Sequence, residues 1–134
     1  MTNPNPNIEL VSRFYDYLNN RADVNWNSIF SDGWTAVPPL PAAPNQVAGY
    51  RQVIDQFRAG APDLAVDNVE IIANDDVVAV RSRVSGTNTG DLFGRPPSGK
   101  PFAFTAIDVH RVADGRIIGT WHVENFAGMM EQVS

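Results

Sequence analysis

The only two histidines of the chain, His110 and His122, lie twelve residues apart in one stretch, Ala106–Phe126, each with a carboxylate at even spacing. Asp108 stands two residues before His110, and Glu124 two residues after His122. In an extended strand successive side chains alternate faces, so each histidine shares a face with its acid. Ala113-Asp114-Gly115 separates the two runs and marks a hairpin. A bare two-residue Asp-Gly loop would leave His110 on the face opposite to His122 and Glu124. A three-residue loop with Gly115 left-handed pairs Val112 with Arg116, His110 with Ile118, Asp108 with Thr120 and Phe104 with Glu124. That register is the one expected, because it also gathers Ile107, Val109, Ile117, Trp121 and Val123 on one apolar face. Four proton-exchanging groups then share the other face.

The chemistry open to such a cluster is general acid/base catalysis. A carboxylate facing an apolar wall is destabilised when charged, which raises its proton affinity. Phe104 and Phe126 would supply that wall for Glu124, whose plainer reading is a solvated strand end. His110, in mid-strand, can donate from one ring nitrogen while accepting at the other. It would orient a substrate carbonyl or tune Glu124, or else be a core histidine satisfied by Asp108. Asp108 reads as a supporting hydrogen-bond partner, and His122 as a cavity-lining or solvent-facing group. Arg81 and Arg83 project together from the preceding strand, and either could reach substrate or form a charged outer face. Two histidines and a carboxylate could also compose a facial metal triad, but the expectation is no metal. The aromatics Tyr15, Trp34, Tyr50, Phe57 and Phe102 are core by default, with a few lining any cavity.

These groups need a scaffold. Val11, Phe14, Tyr15 and Leu18 fall at helical spacing within Ile8–Asn20, and Asn7 is a candidate cap. Val24–Phe30 reads as a second short helix and Ser31-Asp32-Gly33 as a turn. Trp34–Pro44 holds four prolines and cannot be regular helix. Gly49–Arg58 restores helical spacing through Tyr50, Val53, Ile54 and Phe57. Strand patterns follow at Leu64–Ile72, Asp76–Gly86, Pro101–Val112 and Arg116–Phe126, broken by the Gly/Pro-rich Gly86–Lys100. Helices first and an antiparallel sheet after predict one α+β domain over residues 1–134, with helices in the concave face of a curved sheet and a cavity between.

Composition narrows the partners. The chain has 134 residues, a net charge of −5, a single lysine (Lys100) and no cysteine. That disfavours nucleic acid and anionic membranes and rules out disulfide and thiolate chemistry. No apolar run approaches the roughly 20 residues of a membrane span, and Met1–Asn7 is polar, so a cytoplasmic location is expected. The Gly90–Gly99 stretch lacks a phosphate-loop lysine, and no serine nucleophile elbow is present.

Several segments together resemble the SnoaL-like polyketide cyclase/ester cyclase family, of the nuclear-transport-factor-2-like, cystatin-like cone fold. They are Ala61-Pro62-Asp63-Leu64, Arg81 with Gly86-Thr87-Asn88-Thr89-Gly90, and Pro96-Pro97-Ser98-Gly99-Lys100. The closing pair is Arg111–Ile117 and Trp121-His122-Val123-Glu124-Asn125. The resemblance covers nearly the whole chain. It implies ring closure by intramolecular aldol condensation, without metal or organic cofactor, on a hydrophobic carbonyl-bearing substrate. Glu124 matches the family's acid/base position and His110 its helper. Three positions differ: Glu124 stands where aspartate is frequent, Asn88 replaces the histidine of Gly-Thr-His-Thr-Gly, and Asn125 replaces a frequent aspartate. A binding protein without turnover, a metal-dependent enzyme and an epoxide hydrolase using Asp108 and Arg81 are the alternatives. The apolar face of the hairpin predicts a homodimer through the sheet.

Overall fold

The computed structural model describes residues 5–20, 22–40 and 45–134. The start of the polar N-terminus and two of the four prolines expected to break Trp34–Pro44, Pro41 and Pro44, lie outside them. The order is α1 (Pro6–Leu18), α2 (Trp26–Ile29), β1 (Phe30–Val37), α3 (Gln46–Gly60), β2 (Ala65–Asn74), β3 (Val77–Thr87), β4 (Pro101–Ala113), β5 (Arg116–Glu124) and α4 (Phe126–Gln132). The five strands form one curved sheet in the order β1-β5-β4-β3-β2, and the architecture is α+β, as the sequence predicts.

Each helix starts on an asparagine that satisfies an otherwise orphaned backbone N–H. Asn5 caps α1 through the Asn7 amide, one turn-start earlier than the Asn7 cap read from the sequence. Asn45 caps α3 through Ala48, and Asn125 caps α4 through Gly128. Helix α4 was not anticipated, and its cap explains the departure at Asn125: Asn and Asp are interchangeable as caps. Helix α1 buries Leu10, Val11, Phe14, Tyr15, Tyr17 and Leu18 against the sheet. Asn19 pins its end to β2, donating to Val66 O and accepting from Val66 N.

Two strand features differ from expectation. The Ser31-Asp32-Gly33 turn is instead absorbed into β1, which pairs in parallel with β5 and bulges between Phe30 and Thr35. Trp34 is thereby turned inward. The β4–β5 turn is a two-residue one, with Asp114 (φ 51°) and Gly115 (φ 75°) both left-handed, as a type I′ turn requires. Ala113 therefore pairs with Arg116 and Val112 with Ile117. A bulge at Ile118 then shifts the register, so that Arg111 pairs with Gly119, His110 with Thr120, Asp108 with His122 and Ala106 with Glu124. The shared face predicted for the polar groups is present, but the bulge creates it rather than the loop. Ile117 is corrected too: it precedes the bulge, points inward and is fully buried, apart from Ile107, Trp121 and Val123.

Aromatic side chains fill the concave side in two clusters. Phe14, Trp26, Phe30, Trp34 and Tyr50 pack at one end, and Phe57, Phe93, Phe102, Phe104 and Phe126 at the other. The Gly86–Lys100 segment closes on the fully buried Asn88, which donates to Gly90 O and accepts from Ser98 Oγ. At this position the chain uses an amide to hold a loop.

Candidate active site

A cavity opens between α1, α3 and the inner face of β3, β4 and β5. Its free space, open solvent at the mouth included, is about 670 Å³. Leu18, Leu40, Val53, Ile54, Phe57, Leu64, Val66, Val84, Phe104 and Phe126 make most of its wall apolar. The polar lining is confined to Tyr15, Tyr50, Ser82, Asp108, His122 and Glu124.

Asp108 reaches the cavity from β4 while being only 8% exposed. Its Oδ2 accepts a 2.7 Å hydrogen bond from the Tyr15 hydroxyl. Burial pushes its carboxyl up to about 6; the Tyr15 bond opposes this, Glu124 adds to it and His122 opposes it. Burial, and next Asp108, hold the Tyr15 phenol well above its ordinary value, so it stays a donor.

His122 and Glu124 form a second unit on β5. The His122 Nδ1 lies 2.8 and 2.9 Å from the two carboxylate oxygens of Glu124, and Nε2 lies 2.8 Å from the Pro38 carbonyl oxygen. A carbonyl only accepts, so Nε2 carries a hydrogen; an ionised Glu124 likewise requires one on Nδ1. The Glu124 hydrogen bond is the main cause that raises the proton affinity of His122, over the opposing effect of burial. The pair thus holds an exchangeable proton at the cavity wall.

His110 is placed differently from the sequence reading. It shares the inner face but is 1% exposed, and it does not line the cavity. Its Nε2 meets the Tyr15 hydroxyl at 3.0 Å and its Nδ1 meets Thr120 Oγ1 at 2.9 Å. Burial lowers its proton affinity to about 3, so it is a neutral imidazole with no free nitrogen for a substrate carbonyl. Those two bonds also take His110 out of any metal triad with His122 and Glu124. Among the described residues no group of three or more His, Cys, Asp or Glu is arranged to hold a metal ion.

The remaining predicted residues separate by position. Tyr15, Phe57 and Phe104 line the cavity. Phe104, however, is not opposite Glu124, because the bulge places Ala106 there. Phe102 lies behind the wall against Phe57 and Phe104. Trp34 also lies behind it, stacked on Tyr50 and donating from Nε1 to Thr120 Oγ1 at 2.9 Å. Arg81 is corrected: it sits on the outer face and pairs at 3.4 Å with Glu70, away from Asp108 and the cavity, so an Asp–Arg set for epoxide opening does not form. Thr120, bonded to both His110 and Trp34, is not among the site residues expected from the sequence. Its even spacing from His122 and Glu124 was the available signal.

The sequence profile of SnoaL-like polyketide cyclases matches residues 9–133. The chain belongs to this family. None of the curated proteins compared with it matches in sequence. Among solved structures, TsrD from Streptomyces laurentii superposes with a TM-score of 0.85 at 21% identity, covering 100% of this chain and 98% of its own. IdmH from Streptomyces antibioticus gives 0.79 at 24%, with 94% and 96% covered. A SnoaL-like polyketide cyclase from Agrobacterium tumefaciens gives 0.74 at 18%, with 95% and 97% covered. At these identities the likeness is one of fold. No helix among the described residues is long and apolar enough to cross a membrane.

Proposed function

We propose that the cavity closes a ring in a hydrophobic, polyketide-like small molecule by intramolecular aldol-type chemistry, with no metal or organic cofactor and with Glu124 as an acid/base group. The observation that carries this reading is the composition of the wall: an apolar chamber whose ionisable groups, Tyr15, Tyr50, Asp108, His122 and Glu124, meet in one patch. Aldol closure needs a proton removed from carbon beside one carbonyl and a proton given to the oxygen of another. Both needs are met by groups already on the wall, and the apolar surroundings strengthen every electrostatic contact to the developing charge. Family membership supports the same substrate class.

Glu124→Gln tests this reading. Gln cannot exchange a proton but keeps the shape and a hydrogen bond to His122. Turnover of poly-β-carbonyl substrates should fall at least about 100-fold, with ligand affinity, followed by tryptophan fluorescence, largely kept. Full turnover in that variant overturns the role of Glu124. A wild-type protein that binds such compounds and returns them all unchanged is a binding protein.

The outer face of the sheet bears on assembly. Trp121 (48% exposed), Val123 (72%), Ile107 and Ile118 stand together on β4 and β5, beside Val37 of β1. A contiguous apolar patch of this kind is costly in water, and a twofold contact covers it with a single self-complementary surface. We propose a homodimer through this face. Light scattering at micromolar concentration should give twice the chain mass, and Val123→Lys should give the monomer. A wild-type monomer overturns the proposal.

A further inference from the structure

Four buried hydrogen bonds join Trp34, Thr120, His110, Tyr15 and Asp108 in series. Their direction is forced by chemistry. An indole N–H can only donate, so Thr120 Oγ1 accepts from Trp34 and has its own hydrogen left for His110 Nδ1. At the other end an ionised Asp108 can only accept, so the Tyr15 hydroxyl gives its one hydrogen to Oδ2 and accepts that of His110 Nε2. That leaves Nδ1 of the neutral ring to accept from Thr120. A donor-only group anchors one end and a carboxylate acceptor terminates the other. Reversing the links at His110 and Tyr15 would take from Asp108 its donor in the core, which costs on the order of 1–3 kcal/mol.

The two carboxyl groups of the cavity are consequently unlike. Glu124 presents both oxygens to His122 Nδ1, and a proton lies between them. Asp108, which lines the cavity, has only Oδ2 engaged; no hydrogen bond among the described residues reaches Oδ1. We propose that Asp108 is the base that takes the carbon-bound proton, that the His122–Glu124 pair supplies the proton to oxygen, and that Tyr15, His110, Thr120 and Trp34 are positioning residues for Asp108. The assignment rests on the aldol reading above and divides its proton transfers between two sites.

The step balances. The C–H bond beside the first carbonyl breaks, its proton goes to Asp108 Oδ1, and its electron pair forms the enolate. The enolate carbon attacks the second carbonyl of the same molecule; a C–C bond forms and the carbonyl π pair moves to oxygen. That oxygen takes a proton from Glu124 as the Nδ1 proton of His122 shifts onto the carboxylate. Asp108 then loses its proton to water and the pair regains one, with no net change.

Ionisable groups facing Asp108 are Tyr15 on α1, Tyr50 on α3, and His122 and Glu124 on β5; β3 contributes only Ser82 and Val84 to the cavity. A base in this setting works when deprotonated, so its rate falls as pH drops through about 6. Tyr15 is the donor that lowers this value.

The half-reaction can be read alone. 2-Tetralone has an acidic α-CH2 and no second carbonyl to attack, and its exchange in D2O is followed by proton NMR. The wild-type protein should accelerate exchange over buffer, with an acid limb near pH 6. Asp108→Asn should lose at least about 100-fold of that acceleration. Glu124→Gln should keep most of it while losing ring closure. Tyr15→Phe should retain exchange but move the acid limb to higher pH, a change that a merely structural defect, lowering the rate at all pH values, would not produce. Thr120→Ser should restore the wild-type limb where Thr120→Val shifts it. Exchange undiminished in Asp108→Asn, or abolished in Glu124→Gln alone, transfers the base to Glu124 and overturns the assignment while the aldol reading stands. A wild-type protein that exchanges nothing overturns both.

Discussion

Replacing Asp108 with Asn should make the protein more stable at neutral pH, by about 2–3 kcal/mol. The carboxyl is 8% exposed and burial pushes its proton affinity from 3.8 up to about 6, a difference worth about 3 kcal/mol at roughly 1.4 kcal/mol per pH unit. Between those two values the folded state binds more protons than the unfolded state, so this group's contribution falls as pH rises through that window. Above pH 6 the full cost of the buried anion is present; below about pH 4 it is gone. Asn offers Tyr15 the same acceptor without the charge, so the advantage of the variant should be complete above pH 6 and vanish near pH 4. His110 acts in the opposite sense. Its folded value of about 3 lies below the unfolded 6.5, so its contribution is present at neutral pH and is lost as pH falls from 6.5 toward 3. In the wild type the two trends offset each other between pH 6 and 4; in Asp108→Asn the acid sensitivity of His110 stands uncovered. Urea titrations of both proteins at several pH values read this directly. An equal or lower stability of the variant at pH 7 means that Asp108 is not held as a strained, buried base. Catalytic groups held at a cost to stability are a common trade.

The gross architecture was legible because periodicity carries it. Phe14, Tyr15 and Leu18, then Val53, Ile54 and Phe57, mark the buried helix faces, and the alternation in Pro101–Val112 marks β4 from end to end. The sharing of one face by Asp108, His110, His122 and Glu124 was legible too, since it depends on parity. How parity is preserved was not. Asp114-Gly115 signals a two-residue turn, and only the bulge at Ile118 reconciles that turn with the polar face. A bulge adds one residue and leaves no compositional mark of its own. Strand β1 escaped because its pairing is parallel and remote, and Asp32-Gly33 mimics a turn. Helix α4 escaped although its cap, Asn125, was in view. Around the cavity, residue type carries no information on depth. His110 and Glu124 are fourteen residues apart on one face, yet only Glu124 reaches the cavity, because α1 brings Tyr15 between His110 and the open space. Contacts of that kind, between residues 93 and 95 positions apart, lie beyond any local pattern.

The interior chain of hydrogen bonds makes Thr120 the position where the smallest change has the largest structural effect. Thr120→Val is close in shape, so no cavity forms, but a methyl cannot sit 2.9 Å from two nitrogens and its neighbours must give slightly. It removes one hydroxyl that serves two buried groups, as acceptor for Trp34 Nε1 and as donor to His110 Nδ1. All three residues are at most 4% exposed, which leaves no room for water to replace the lost partner. An unsatisfied buried polar group costs about 1–3 kcal/mol, so the variant should lose roughly 2–4 kcal/mol in urea unfolding, at unchanged slope. Thr120→Ser retains the hydroxyl and drops only a methyl, for a loss of about 1 kcal/mol. The two variants bracket the polar and apolar contributions of one side chain. Nitrogen-15 spectra supply the complementary reading. In the wild type His110 should show its hydrogen on Nε2 and a hydrogen-bonded Nδ1. With Val at 120 the hydrogen stays on Nε2, where Tyr15 accepts it, and the Nδ1 resonance should move to that of an acceptor without a donor. Equal stability of Thr120→Val and Thr120→Ser, with His110 unchanged in both, would show that the series of bonds is not a unit.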